Sequence, residues 1–341
     1  MQLSDYTYKL PDEAIAIHPP KVRGETRLLV LQKKDGSIRD AHYKRLDNFL
    51  RAGDVLVMNN TKVIPARLLV KTESGAEREL LLLEKHGKQA DHHASLVMYR
   101  RKIRADQELF AGDASIVVDE VFPNGTARIH STKDLWELAD ALGSVPLPPY
   151  MHREEEPEDR ERYQTVFAKE KGSVAAPTAS LNMTSELLQK LKDKGVEICE
   201  LTLHVGLGTF MPIRVEDVTK HKMHQEYFEI PNSTAATIRK AKEEGRRVIA
   251  VGTTVTRTLE FAADQILRGD KDINGEADIF IYPGYNFKII DGLLTNFHAP
   301  QSTVLMMAAA FAGWDNLKSA YAHALLRKYA FLSYGDSMLI T

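Results

Sequence analysis

Residues 233–260, STAATIRKAKEEGRRVIAVGTTVTRTLE, carry the alternation on which the fold turns. The run 233–244 reads as a helix stopped by Gly245, the apolar run 247–251 as a strand, and Gly252 opens into a second helix beginning at Thr253 or Thr254. Helix, strand and helix joined this tightly are the signature of an α/β sheet. A helix that starts directly off a strand end also leaves free backbone N–H groups and hydroxyls facing whatever binds there.

Working outward, Leu28–Leu31 and 38–42 flank Asp35-Gly36 as a hairpin, residues 47–50 read as a short helix, and 55–58 as a strand. From 61 to 131 the character changes. Apolar runs at 63–70, 80–83, 96–99, 115–121 and 127–129 alternate with turns at Gly75, Gly87, Gly112 and Gly125, the spacing of a small barrel. A helix at 134–142 and the prolines 146, 148 and 149 close this unit. Beyond Tyr150, α and β alternate again. Thr184 caps a helix with Leu187, Leu188 and Leu191 on one face and Gly195 at its end, and the final helices fall at 303–312 and 316–329. The expected architecture is a mixed α/β main domain, residues 1–60 with 147–341, interrupted by a small all-β barrel at 61–146.

Composition sets further bounds. The 341 residues are 43% hydrophobic and 27% charged, ordinary for a soluble globular protein large enough for two domains. A single cysteine, Cys199, in a strand-like run excludes an internal disulfide framework and suits a reducing cytoplasm. The N-terminal MQLSDYTYKL lacks the basic and apolar segments of a leader, and no run reaches the length of a membrane span, so a cytoplasmic monomer is expected. A net charge of −2 means that RNA binding would need a local patch, for which Arg100, Arg101, Lys102 and Arg104 are the candidates; the same cluster also reads as a solvated strand edge. The mixed-charge run 153–162 reads as a surface helix or connector.

Polar chemistry concentrates in the second half. LTLHVGLGTF (201–210) is a period-2 strand that sets His204 opposite its apolar face and opens into Gly206 and Gly208. HKMHQEYF (221–228) holds His221, His224 and Glu226 within six positions. DGLLTNFHAPQST (291–303) places Asn296 and His298 at a strand end, before the N-cap Ser302. The offsets of His221, His224 and Glu226 do not match the common helical zinc motif, which leaves a metal hydrolase as a minor alternative and no metal expected.

These segments together with VAAPTASLNMT (174–184), IFIYPGY (279–285), SYGDSML (333–339), TRLLVL (26–31) and GDVLVMNNTKVIPARL (53–68) resemble, in order and nearly end to end, the S-adenosylmethionine:tRNA ribosyltransferase-isomerase family of queuosine biosynthesis. The resemblance implies a discontinuous catalytic domain with an inserted barrel, and transfer of the ribosyl part of S-adenosylmethionine onto 7-aminomethyl-7-deazaguanine in tRNA. Adenine and methionine would be released and an epoxide left behind. S-adenosylmethionine is then a substrate, and no separate cofactor is implied.

A base must remove a proton beside the sulfonium, and the matching motifs offer His204 and His298 first, then Glu226, His224 and Asp336. Asn296, Tyr282 or Tyr334 would donate to departing adenine. Arg257 would clamp the methionine carboxylate or else pair with Glu260. Thr178, Gly206, Gly208, Thr253 and Thr254 complete the expected binding set. The chain departs from the family pattern at Asn182, where an imidazole is usual, at Met211 and Gln301, where cations are usual, and in MYRRKIR (98–104). A divergent paralogue acting on a related substrate is the alternative these departures support.

Overall fold

The computed structural model describes residues 1–83, 91–206, 213 and 215–341. Nine strands form one sheet in the spatial order Ile273–Ala277, Glu226–Ile230, Glu197–Leu203, Val55–Asn59, Val248–Val251, Gly292–Asn296, Ser337–Ile340, Arg27–Leu31, Ile38–His42. The four from Glu197–Leu203 to Gly292–Asn296 run parallel. Antiparallel neighbours take over at Glu226–Ile230 on one side and Ser337–Ile340 on the other.

The central strands are buried along their whole length because both sheet faces are covered, and successive residues serve opposite faces. Val55, Val57, Val248, Ala250 and Leu293 face the core beneath the helices Asn232–Glu243, Thr253–Phe261 and Thr303–Ala312. Leu56, Met58, Ile249, Val251 and Leu294 face the other way, against Leu187 and Leu191 of the helix Ser185–Asp193 and Tyr43 and Leu46 of a 3-10 segment. Each such side chain, taken fully out of water, contributes roughly 1.5–3 kcal/mol. A one-residue slip would exchange the two sets.

Six strands close the expected barrel, in the order Thr126–Ser131, Ala94–Arg100, Glu77–Leu82, Arg67–Thr72, Glu108–Ala111, Ala114–Val121, around Leu68, Val70, Leu80, Val97, Ile116 and Ile129. The apolar run expected at 63–70 is two strands. Pro65 has no N–H to give a ladder, so Thr61–Val63 ends before it and pairs with Glu170–Ser173, outside the barrel, while Arg67–Thr72 enters the barrel. The strand Glu108–Ala111 has too short an apolar pattern to stand out in the sequence. Gly87 lies outside the described residues.

Three other expectations are corrected in detail. The helix expected at 47–50 is a 3-10 segment at Tyr43–Asn48. The last helix ends at Leu326, since Tyr329 turns inward beneath the Arg27 guanidinium, 4.1 Å from its ring, and donates to Asp40 at 2.6 Å. The run 153–162 is more than a solvated connector. Asp159 is 1% exposed and accepts from both Arg153 guanidinium ends at 2.6 and 2.8 Å, from the Glu156 N–H at 2.8 Å and from the Tyr334 hydroxyl at 2.8 Å.

Candidate active site

A cavity of about 540 Å³ opens at the carboxyl ends of the parallel strands, the position where open α/β sheets bind ligands. Val205 follows one strand, Gly252 to Thr254 the next and Thr295 to Ser302 the third, and the segment Ala175 to Ala179 forms a further wall. Ala, Pro, Ile, Met and Phe side chains supply much of the lining. The volume suits a small-molecule site.

Local sequence explains the wall at 252. Gly252 has φ 97°, which a non-glycine residue adopts only with strain, and it turns the chain from the strand Val248–Val251 directly into the helix Thr253–Phe261. Among the described residues no side chain caps that helix, and its first residues, Thr253 and Thr254, line the cavity. Thr253 and Thr254 stand there as expected, and Thr178 faces them from the opposite segment.

The ion pair at the cavity wall joins Glu226 to Arg257. Their side chains are 3% and 9% exposed. One Glu226 oxygen takes the Arg257 Nη1 and the other accepts the Gly206 N–H at 3.1 Å. Two more of the five Arg257 N–H donors go to the carbonyls of Ile279 at 3.2 Å and Ala277 at 3.3 Å. The pairing of Arg257 with Glu260 does not form. Glu260 instead accepts the backbone N–H groups of Lys288, Ile289 and Ile290. A guanidinium already neutralised by Glu226 is a weaker clamp for a second carboxylate.

His298 and Asn296 line the cavity together with His224. The His298 imidazole is half-buried, and burial lowers it to about 4, so it is neutral near pH 7. Its Nε2 lies 2.9 Å from Thr295 Oγ1, while the residue's backbone N–H donates to the Tyr321 hydroxyl at 2.9 Å and its backbone carbonyl accepts from Tyr8. Asn296 is 2% exposed, and among the described residues neither its Oδ1 nor its Nδ2 has a partner. An unpaired buried amide costs about 1–3 kcal/mol, which points to a ligand's polar edge as its missing partner.

Other sequence candidates lie elsewhere. His204 does not line the cavity: its Nδ1 is 2.8 Å from Thr61 Oγ1 and its ring stacks near Tyr227. Gly172, at φ 149°, lies against it, and a Cβ there would meet the ring at 2.7 Å. Asp336 is buried against Arg27, accepting its N–H at 2.6 Å and its guanidinium at 3.1 Å, and also takes the Ala330 N–H. Tyr334 is committed to Asp159, and Tyr282 packs on Phe280 outside the cavity lining.

Asn182 donates to the Gly335 carbonyl at 3.1 Å and does not line the cavity, so this departure acts as a brace to the C-terminal strand. Gln301 does line it. Gly208 and Met211 lie outside the described residues. Arg100, Arg101, Lys102 and Arg104 are exposed on the barrel, away from the cavity lining. Among the described residues no group of three or more His, Cys, Asp or Glu is placed to hold a metal ion, and no helix is long and apolar enough to cross a membrane.

Three cavity residues escape a sequence reading. Tyr150 and Ser333, 183 positions apart, hydrogen-bond to each other in the wall; nothing local marks Tyr150, and Ser333 stands out only as the first residue of SYGDSML. Thr295 is visible only as the residue before Asn296, within a strand where threonine is commonplace.

Comparison with known proteins agrees with this architecture. A family described as "Queuosine biosynthesis protein" matches residues 3–340. Curated relatives named S-adenosylmethionine:tRNA ribosyltransferase-isomerase include those of Chlorobium chlorochromatii, 55% identical, and Desulfitobacterium hafniense, 47% identical, each covering 100% of both chains. The crystal structure of an S-adenosylmethionine tRNA ribosyltransferase from Thermotoga maritima is similar with a TM-score of 0.56 at 33% identity, covering 99% of this chain and 100% of that one. On a family match over nearly the whole chain and full-length identity of this order, the chain belongs to the queuosine biosynthesis protein family.

Proposed function

We propose that this protein is an S-adenosylmethionine:tRNA ribosyltransferase-isomerase that moves the ribosyl part of S-adenosylmethionine onto 7-aminomethyl-7-deazaguanine in tRNA, with release of adenine and methionine. The observation that carries this reading is the unpaired Asn296 amide in an otherwise largely apolar cavity. Its adjacent donor and acceptor complement a purine edge, which offers an acceptor beside a donor. The open N-terminus of Thr253–Phe261 supports an anion nearby, and it takes over from Arg257 as the site for the methionine carboxylate.

A sulfonium acidifies the neighbouring C–H bonds, so a side-chain base in the cavity suffices for the first step. Of the candidate groups, His224, His298 and Glu226 line the cavity, while His204 and Asp336 make their bonds elsewhere. The cationic barrel surface, Arg100 to Arg104, is the proposed tRNA contact, and the protein is proposed to work in the cytoplasm without a separate cofactor. The test is labelled S-adenosylmethionine incubated with tRNA bearing the aminomethyl-deazaguanine. Adenine and methionine should appear in step with ribosyl incorporation. Release that needs added zinc, or no release with a competent tRNA, would overturn the proposal.

A further inference from the structure

We propose that the Thr295 hydroxyl positions His298 by holding its imidazole as the Nδ1–H tautomer, so that the ring serves the cavity as a hydrogen-bond donor and not as a base. The inference rests on the cavity being the site of adenine release.

Thr295 is 1% exposed, and among the described residues its hydroxyl engages only His298 Nε2, at 2.9 Å. Two arrangements are open to that pair. If Nε2 carries the hydrogen, it donates to Oγ1, and the hydroxyl's own hydrogen is left buried without an acceptor. If the hydroxyl donates to Nε2, its hydrogen is satisfied and the ring hydrogen moves to Nδ1, which no described group engages. Nδ1 belongs to a half-buried ring and keeps some exposure, whereas the Thr295 hydroxyl is fully buried, so the second arrangement strands no fully buried donor and is the one adopted.

The surroundings hold this geometry in place. Tyr321 and Tyr8 fix the His298 main chain from both sides, so the ring cannot leave Thr295 by a shift of the loop. Among the described residues its hydrogen-bond partners are two phenols and a hydroxyl, and no ion pair holds the ring in its charged form. A neutral imidazole locked in one tautomer is a hydrogen-bond donor to developing negative charge. When the ribosyl C1′–N9 bond breaks, its electron pair goes to adenine, and Nδ1–H stabilises a ring nitrogen while keeping its hydrogen. Transfer of that hydrogen would leave an imidazolate. His298 therefore leaves the set of candidate bases, and Asn296 and His298 become the two polar groups on the leaving purine.

The experiment uses full-length protein with ¹⁵N-labelled histidine. His298→Asn assigns the His298 signals, and couplings from the ring protons report the tautomer. The expected result is Nδ1–H in the native protein, retained in Thr295→Ser and shifted toward Nε2–H in Thr295→Val. In turnover, Thr295→Val should lower kcat roughly 10- to 100-fold with KM for S-adenosylmethionine nearly unchanged, and Thr295→Ser should restore most of the rate. An Nε2–H signal in the native protein overturns the proposal, as does an unchanged tautomer or unchanged kcat in folded Thr295→Val. If native protein releases no adenine yet shows the Nδ1–H tautomer, the positioning stands and the functional reading fails.

Discussion

Replacing Arg257 with Met should destabilise the main domain substantially, and the structure fixes the size of the effect. Among the described residues, the Glu226 carboxylate, 3% exposed, would keep only the Gly206 N–H at 3.1 Å as a donor. Breaking one partner of a buried pair costs about 3–5 kcal/mol, because the remaining charge is stranded. The pair borders a cavity, so water can relieve part of this and the lower end applies. At ~2 °C per kcal/mol for a domain of this size, the thermal midpoint should fall by ~6 °C. Glu226→Gln in the same chain removes the stranded charge but keeps an acceptor for Gly206, so the double variant should recover most of the loss. Thermal unfolding of the native, single and double variants by circular dichroism measures the coupling directly. A single-variant loss under ~1 kcal/mol, or a double variant no more stable than the single, would refute the claim that this pair is desolvated.

Three further outcomes are expected. Asn296→Val should leave stability unchanged or raise it by up to ~1–3 kcal/mol, since it removes an unpaired buried amide, while abolishing adenine release; a variant that is destabilised would show that the amide has a partner in the folded protein. The Asp159 carboxyl is raised by its burial but lowered more by Arg153, the Glu156 N–H and the Tyr334 hydroxyl, so that it lies below the usual range. Its contribution is therefore complete above its unfolded pKa of about 4 and lost as pH falls through the lower folded value, and the stability gap between native protein and Asp159→Asn in urea should close only under acid. Arg100→Gln with Lys102→Gln should reduce the slope of log affinity for tRNA against log salt by roughly 1–2, with S-adenosylmethionine binding unaltered; an unchanged slope would return these side chains to the role of a solvated strand edge.

Much of the fold can be read along the chain because its causes are local. The two-faced apolar strands at 55–58 and 247–251, the Thr184 cap, which accepts the Leu187 N–H at 3.2 Å, and the glycine that bends the chain at 252 each act within a few residues. The barrel was visible as spacing, and its one unannounced strand, Glu108–Ala111, is simply too short to show a period.

The site was only partly legible. Motif order brought His224, Glu226, Thr253, Asn296 and His298 to notice, and these do meet in one cavity. His204 and Asp336 look equivalent to them in sequence, because a side chain's neighbours are set by strand order and not by the motif that carries it. Strand pairing turns His204 toward Thr61, 143 residues away, and Asp336 toward Arg27, 309 away. Likewise only packing decides that Arg257 serves Glu226 and not Glu260. The sequence alone determines which segments are strands, helices and polar turns, since hydrophobic period and capping are properties of neighbouring residues. Which polar groups remain unpaired at the strand ends, and so are free for a ligand, depends on partners hundreds of residues apart, and only the tertiary structure decides it.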